Sequence, residues 1–111
     1  MIVPNADQAE IPPEKITHYL LDPEHEDGGQ KAKFFLGRGF RPDEWQVMAI
    51  AFQEQINTHP FFDQKETPFG IKYSVTGPLR APKGITPKVK SVWIILQGQD
   101  HPKLVTAYPV S

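Results

Sequence analysis

Four residues stand out by chemical type and setting: His25, Lys31, Thr106 and Tyr108. Metal-independent cleavage of RNA needs a base for the 2′-OH, an acid for the departing oxygen, and cations or hydroxyl donors around the phosphate. His25 is the candidate base. It precedes Gly28-Gly29, where a helix begins whose amino end could seat an anion, and Lys31 and Lys33 follow in the next turn. Thr106 and Tyr108 alternate along a strand and so share one face, where they could orient a scissile phosphate. Lys72 on another strand, with Arg80, Lys83, Lys88 and Lys90, forms a set of phosphate-contacting cations. Each also has a plainer account. His25 could cap a solvated turn, Tyr108 could be half-buried core, and the lysines could serve solubility. Gly28-Gly29 before Lys31 lacks the spacing and the Lys-Ser/Thr pair of a nucleotide phosphate loop, so a tight turn is its expected purpose. Asp22, Glu24, His25, Glu26 and Asp27 match no metal-ligand spacing, so no metal or cofactor is expected. His18, His59 and His101 read as structural or exposed.

The elements that must position these residues divide the chain in two. Residues 1–13 read as an extended arm, because Pro4, Pro12 and Pro13 disfavour helix. A helical part covers 14–57. Its first helix, Glu14 to Leu21, starts after Pro13 and carries an apolar stripe of Ile16, Tyr19 and Leu20. The second runs from Gln30 to Leu36, with Ala32, Phe35 and Leu36 on one face and Gly37 and Gly39 at its end. The third starts at Pro42 and continues to about Asn57 on Trp45, Met48, Ala49, Phe52 and Ile56. Phe61 to Pro68 reads as a loop.

From Phe69 the period changes to two. Phe69, Ile71, Tyr73 and Val75 alternate with Gly70, Lys72, Ser74 and Thr76, as in a half-buried strand. Lys88 to Gln97 is the second strand, apolar on both faces over Val92 to Leu96 and therefore central. Gly98 to Pro102 forms a hairpin loop before a last strand from Lys103 to Tyr108. The expected fold class is α+β: about three N-terminal helices packed on an antiparallel sheet of three to four strands over 69–109, all in one domain of 111 residues.

Charge obeys the same division. Residues 68–111 hold six cations and one anion, whereas residues 1–67 hold six cations and twelve anions; +5 and −6 give the net charge of −1. A basic sheet behind an acidic helical part points to a polyanionic partner. There is no Cys, which excludes thiolate chemistry and disulfides and suits a reducing cytoplasm. The longest apolar run, Val92 to Leu96, is far short of a membrane span, and the start has no signal-peptide pattern. No DNA-binding motif is present.

The run Tyr19-Leu20-Leu21-Asp22-Pro23-Glu24-His25, with Gly28-Gly29-Gln30-Lys31-Ala32-Lys33-Phe34-Phe35, Gly39-Phe40 and the closing Leu104 to Pro109, resembles a family of uncharacterised bacterial domains. These domains occur alone in small cytoplasmic proteins and at the C-terminal tips of filamentous-haemagglutinin-like polymorphic toxins. The resemblance covers residues 12 to 109. It implies a toxin-type nuclease, and the helices-then-sheet layout is similar to that of barnase, colicin ribonucleases and mRNA interferases. The expected function is a small ribonuclease binding RNA on its basic sheet, with an acidic antitoxin or immunity partner. The alternative is a non-catalytic module docking an acidic protein or RNA. Glu26-Asp27 beside His25, where the family has Pro after the His, favours that alternative.

Overall fold

A computed structural model of the chain describes residues 1–110. Three helices precede a four-stranded antiparallel sheet, an α+β fold. Helix α1 (Pro13–Lys15) runs on into a π-helical turn (Ile16–Leu20); α2 is Gly29–Gly37; and a 3-10 turn at Pro42–Glu44 leads into α3 (Trp45–Thr58). The strands β1 (Phe61–Thr67), β2 (Gly70–Pro78), β3 (Lys88–Leu96) and β4 (Lys103–Pro109) pair in sequence order. That order arises from short connections, which leave neighbours in sequence as neighbours in the sheet.

The register assigns the two faces. On the inner face Tyr73 lies opposite Trp93, Val75 opposite Ser91 and Gly77 opposite Val89. Ala107 lies opposite Ser91 and Leu104 opposite Trp93. These residues are buried together with Ile16, Leu20, Phe35, Phe40, Met48, Phe52 and Ile56 of the helical part. Removing that apolar area from water is the main term holding helices to sheet. The core also holds a polar group that the apolar stripe of α3 does not announce. Gln55 donates through Nε2 to the carbonyls of Gly77 (3.1 Å) and Val89 (2.9 Å) and accepts from Ser91 Oγ at 2.7 Å. Trp93 Nε1 donates to the same Ser91 Oγ at 2.8 Å. Among the described residues no buried side-chain polar atom lacks a partner.

Three expectations need correction. The arm is not simply extended. It contains a 3-10 turn at Ala6–Gln8, buries Val3 and Ala6, and joins β4 through a parallel bridge between Glu10 and Lys103. Residues 61–68 are not a loop, since Phe61–Thr67 forms edge strand β1. Its pattern fails to alternate because both faces beyond Phe61 meet solvent; Phe61 alone turns inward, 4.9 Å from Tyr73 between ring centroids. The charged residues Asp63, Lys65 and Glu66 on that edge discourage pairing with another chain. Phe69 belongs to the β1–β2 turn, 73% exposed, instead of opening the buried face of β2.

Candidate active site

The residue that organises the site is Tyr19, which the apolar stripe places in the core. The π-helical turn explains why it is not there. The Leu21 amide donates to the Ile16 carbonyl at 2.8 Å, an i→i+5 bond that widens the turn. Ile16 and Leu20 remain fully buried, while Tyr19 is only partly so and its hydroxyl reaches the sheet edge. There it lies 2.9 Å from Thr106 Oγ1 on β4. Lys31 Nζ, from α2, donates to the Tyr19 hydroxyl at 2.7 Å and to Thr106 Oγ1 at 3.1 Å. A lysine, a phenol and a threonine from three elements thus close a triangle. A phenol on an apolar stripe was the signal available in the sequence, because a buried tyrosine hydroxyl normally has a partner.

The electrostatics are unbalanced. Among the described residues Lys31 has no carboxylate in ion-pairing distance. Its ammonium lies 5.1 Å from the centroid of Tyr19 and 5.8 Å from that of Tyr108, so aromatic faces replace a counter-ion. Lys15 Nζ sits 5.4 Å from the Tyr19 centroid. Burial alone would raise the Tyr19 phenol. Hydrogen bonds from Lys31 and Thr106, with the charges of Lys31 and Lys15, outweigh it and hold the phenol below its ordinary value of 10.0. A depression of about 290 Å³ beside the ring, lined by Pro12, Glu14, Lys15, His18, Tyr19 and Lys103, gives it access to solvent.

His25 lies next to this triangle, its ring 4.9 Å from that of Tyr19 and edge-on. Its Nδ1 accepts from the amides of Asp27 (3.1 Å) and Gly28 (3.2 Å), and the Gly29 amide donates to its carbonyl at 3.0 Å. The ring proton therefore belongs on Nε2, so the free edge of the imidazole is a donor and not a base. The amides expected to seat an anion before α2 are also partly spent on His25 itself. Gly28 and Gly29 serve close approach: a β-carbon on Gly28 would come within 2.8 Å of Tyr19 Cε1, and one on Gly29 within 2.7 Å of the Pro23 carbonyl oxygen. Glu24, Glu26 and Asp27 are exposed, and among the described residues no three His, Asp or Glu side chains converge.

The other candidate cations fall into four groups. Lys90 lies on the outer face of β3, opposite Thr76 and Tyr108, with its ammonium 5.3 Å from the Tyr108 centroid. Lys88 shares that face two positions away along the strand. Lys72, opposite Lys65 and Ile94, sits on the same outer face but at its other end, with Lys103 beyond Ile94. Lys33 is exposed on α2, outside the triangle. Arg80 pairs with Glu54 of α3 at 3.2 Å, and Lys83 lies against Gly39; both belong to the β2–β3 connection and not to the sheet face. The structure therefore brings together Lys31, Thr106, Tyr108 and Lys90, places His25 beside them, adds Tyr19, and leaves Lys33, Lys72, Arg80 and Lys83 elsewhere. His18 lines the depression, whereas His59 packs on Gly77 and His101 bonds Glu10.

No curated protein matches the sequence. Among solved structures, a chain from "Contact-dependent growth inhibition toxin - immunity protein complex from Klebsiella pneumoniae 342" has a similar fold. The TM-score is 0.74 at 12% identity, covering 96% of this chain and 97% of that one. Among the described residues no helix is long and apolar enough to cross a membrane. The model of one family, described as "Domain of unknown function (DUF6883)", matches residues 2–111, and the chain belongs to that family.

Proposed function

We propose that the chain is a toxin-type domain that cleaves RNA at the Tyr19–Lys31–Thr106 triangle. One observation carries this reading: a lysine ammonium without a carboxylate partner among the described residues, bonded to both a phenol and a threonine hydroxyl. Structural ion pairs are closed by an anion, whereas this one is open to an incoming phosphate. The resemblance to polymorphic-toxin tips and the fold shared with a toxin–immunity complex support a toxin or immunity-type module. An acidic immunity partner would complement the lysine-bearing sheet, and a cytoplasmic RNA would be the target.

The chemistry balances within the triangle. The ionised Tyr19 phenol takes the 2′-OH proton as the 2′-oxygen attacks phosphorus. Lys31 gives a proton to the 5′-oxygen as the P–O5′ bond breaks, leaving a 2′,3′-cyclic phosphate and a 5′-OH. Tyr19 then returns its proton to Lys31 across the 2.7 Å bond, and the pair is reset. Thr106 orients the phenol, and the Lys90 charge steadies the phosphate oxygens. His25, donating from Nε2, positions Tyr19 or the phosphate. Purified chain incubated with RNA in EDTA should yield 2′,3′-cyclic ends at a rate that rises with pH and levels off below 10, as the lowered Tyr19 phenol ionises. Expression should arrest growth, and Tyr19→Phe should relieve the arrest. An intact RNA pool alongside equal arrest by Tyr19→Phe would overturn the reading.

A second reading is the non-catalytic module docking an acidic protein or RNA. It is favoured by the use of His25 Nδ1 as a turn acceptor, which removes the imidazole expected to act as base from that duty. Binding without cleavage, unaffected by Tyr19→Phe, would select it.

A further inference from the structure

The cation–aromatic contacts form a continuous row across the molecule. Phe62 on β1, Lys90 on β3, Tyr108 on β4, Lys31 on α2 and Tyr19 on the π-turn alternate ring and ammonium. The successive centroid-to-nitrogen distances are 5.5, 5.3, 5.8 and 5.1 Å. A β-bulge creates the first member. The β1–β2 register shifts between Phe61 and Asp63, so Phe61 fills the core against Tyr73 while Phe62 is released to the outer face over Lys90. Bulges commonly re-aim a side chain in this way beside functional sites. Phe62 is 60% exposed, which costs the fold burial it could otherwise gain, and nothing in the core uses its ring.

Building on the ribonuclease reading, we infer that this row is a track for single-stranded RNA, running across the strands from Phe62 to Tyr19. Unpaired bases stack on Phe62 and Tyr108, and the phosphates between them contact Lys90 and Lys31. Stacking on flat rings demands bases free of a duplex, so a double helix is excluded from the track. An acidic protein would be held by the lysines but has no general use for the exposed rings. The Tyr19 end holds the reacting triangle, and Phe62 holds a base upstream or downstream of the cut. Phe62 is a positioning residue, because it does not touch the reacting atoms.

Binding can be measured apart from cleavage with a 2′-O-methyl oligoribonucleotide of roughly eight nucleotides, which lacks the attacking hydroxyl. Phe62→Ala should weaken it roughly tenfold and Phe62→Leu nearly as much, because ring stacking and not hydrophobicity is lost. Lys90→Gln should reduce the salt slope of log K by about 0.7. A duplex of the same sequence should bind without dependence on Phe62. Tyr19→Phe, which keeps the ring of the track but removes the reacting hydroxyl, should abolish cleavage of unmodified RNA. If wild type binds in a Phe62-dependent way yet cuts nothing, the track stands and the ribonuclease reading fails. Unchanged binding in both Phe62 variants overturns the track. So does polyglutamate that competes equally and shares any dependence on Phe62, which would mark an acidic-protein surface.

Discussion

Two polar clusters tie helices to the sheet, and they are built on opposite rules. Gln55–Ser91–Trp93 is sealed in the core; Gln55 meets two carbonyls and the Ser91 hydroxyl, and Ser91 also receives the Trp93 indole. It carries no charge and leaves no donor idle. Tyr19–Lys31–Thr106 is half-exposed at the β4 edge and carries a net positive charge. Desolvated polar groups must be fully satisfied to hold a fold, whereas a half-exposed ammonium held by two neutral hydroxyls keeps charge to offer an anion. On the proposed reading, the first cluster holds the fold and the second does the chemistry.

Substitutions can test that separation. Tyr19→Phe should have the largest effect, lowering RNA cleavage by roughly 10²- to 10⁴-fold while shifting stability in urea by less than about 1 kcal/mol. Gln55→Ala should do the reverse: a loss of about 3 kcal/mol in urea unfolding, from stranded carbonyls and a small cavity, with cleavage per folded molecule unchanged. If Gln55→Ala instead removed activity in well-folded protein, the two clusters would be coupled and the contrast lost. Gly28→Ala sharpens the boundary, because its methyl would meet Tyr19 Cε1 at 2.8 Å. Displacement of the ring should lower cleavage about tenfold and cost about 1–2 kcal/mol.

The smallest effect concerns the arm. Hydrogen bonds to Glu10 and then Asp100 raise the His101 pKa above its ordinary 6.5. The folded state therefore favours the protonated ring. The associated stability is fully present below pH 6.5 and fades as pH rises through the raised value. Hydrogen exchange at the Glu10 and Leu104 amides, bonded to Pro102 and Glu10, should accelerate beyond the intrinsic pH trend over that window. Glu10→Gln should remove most of this excess.

The sequence makes β2, β3 and α3 legible because their apolar residues recur at strand or helix spacing. The alternation that puts Tyr73 and Val75 on the inner face and the Met48, Phe52, Ile56 spacing each mark a face buried in the core, although Ser74 is buried as well. Strand β1 is illegible for the complementary reason: an edge strand with most side chains in water has no face to advertise. Lys31, Thr106 and Tyr108 could be singled out by type, but grouping them depends on how α2 lies against β4, which no local pattern encodes. Tyr19 is hidden by the assumption of 3.6 residues per turn, which a π-turn breaks. His25 attracts a catalytic role by residue type and by its place before the Gly28-Gly29 helix start; only the direction of its Nδ1 reveals the turn it holds.

The wide turn at Ile16–Leu20 also makes the triangle easy to dismantle. Losing one codon there would let the backbone revert to ordinary α-helix, rotating the arm by about 100° relative to α2 and the sheet. On the proposed toxin reading, a single in-frame step would thus turn the phenol away from Thr106 and remove the reacting triangle.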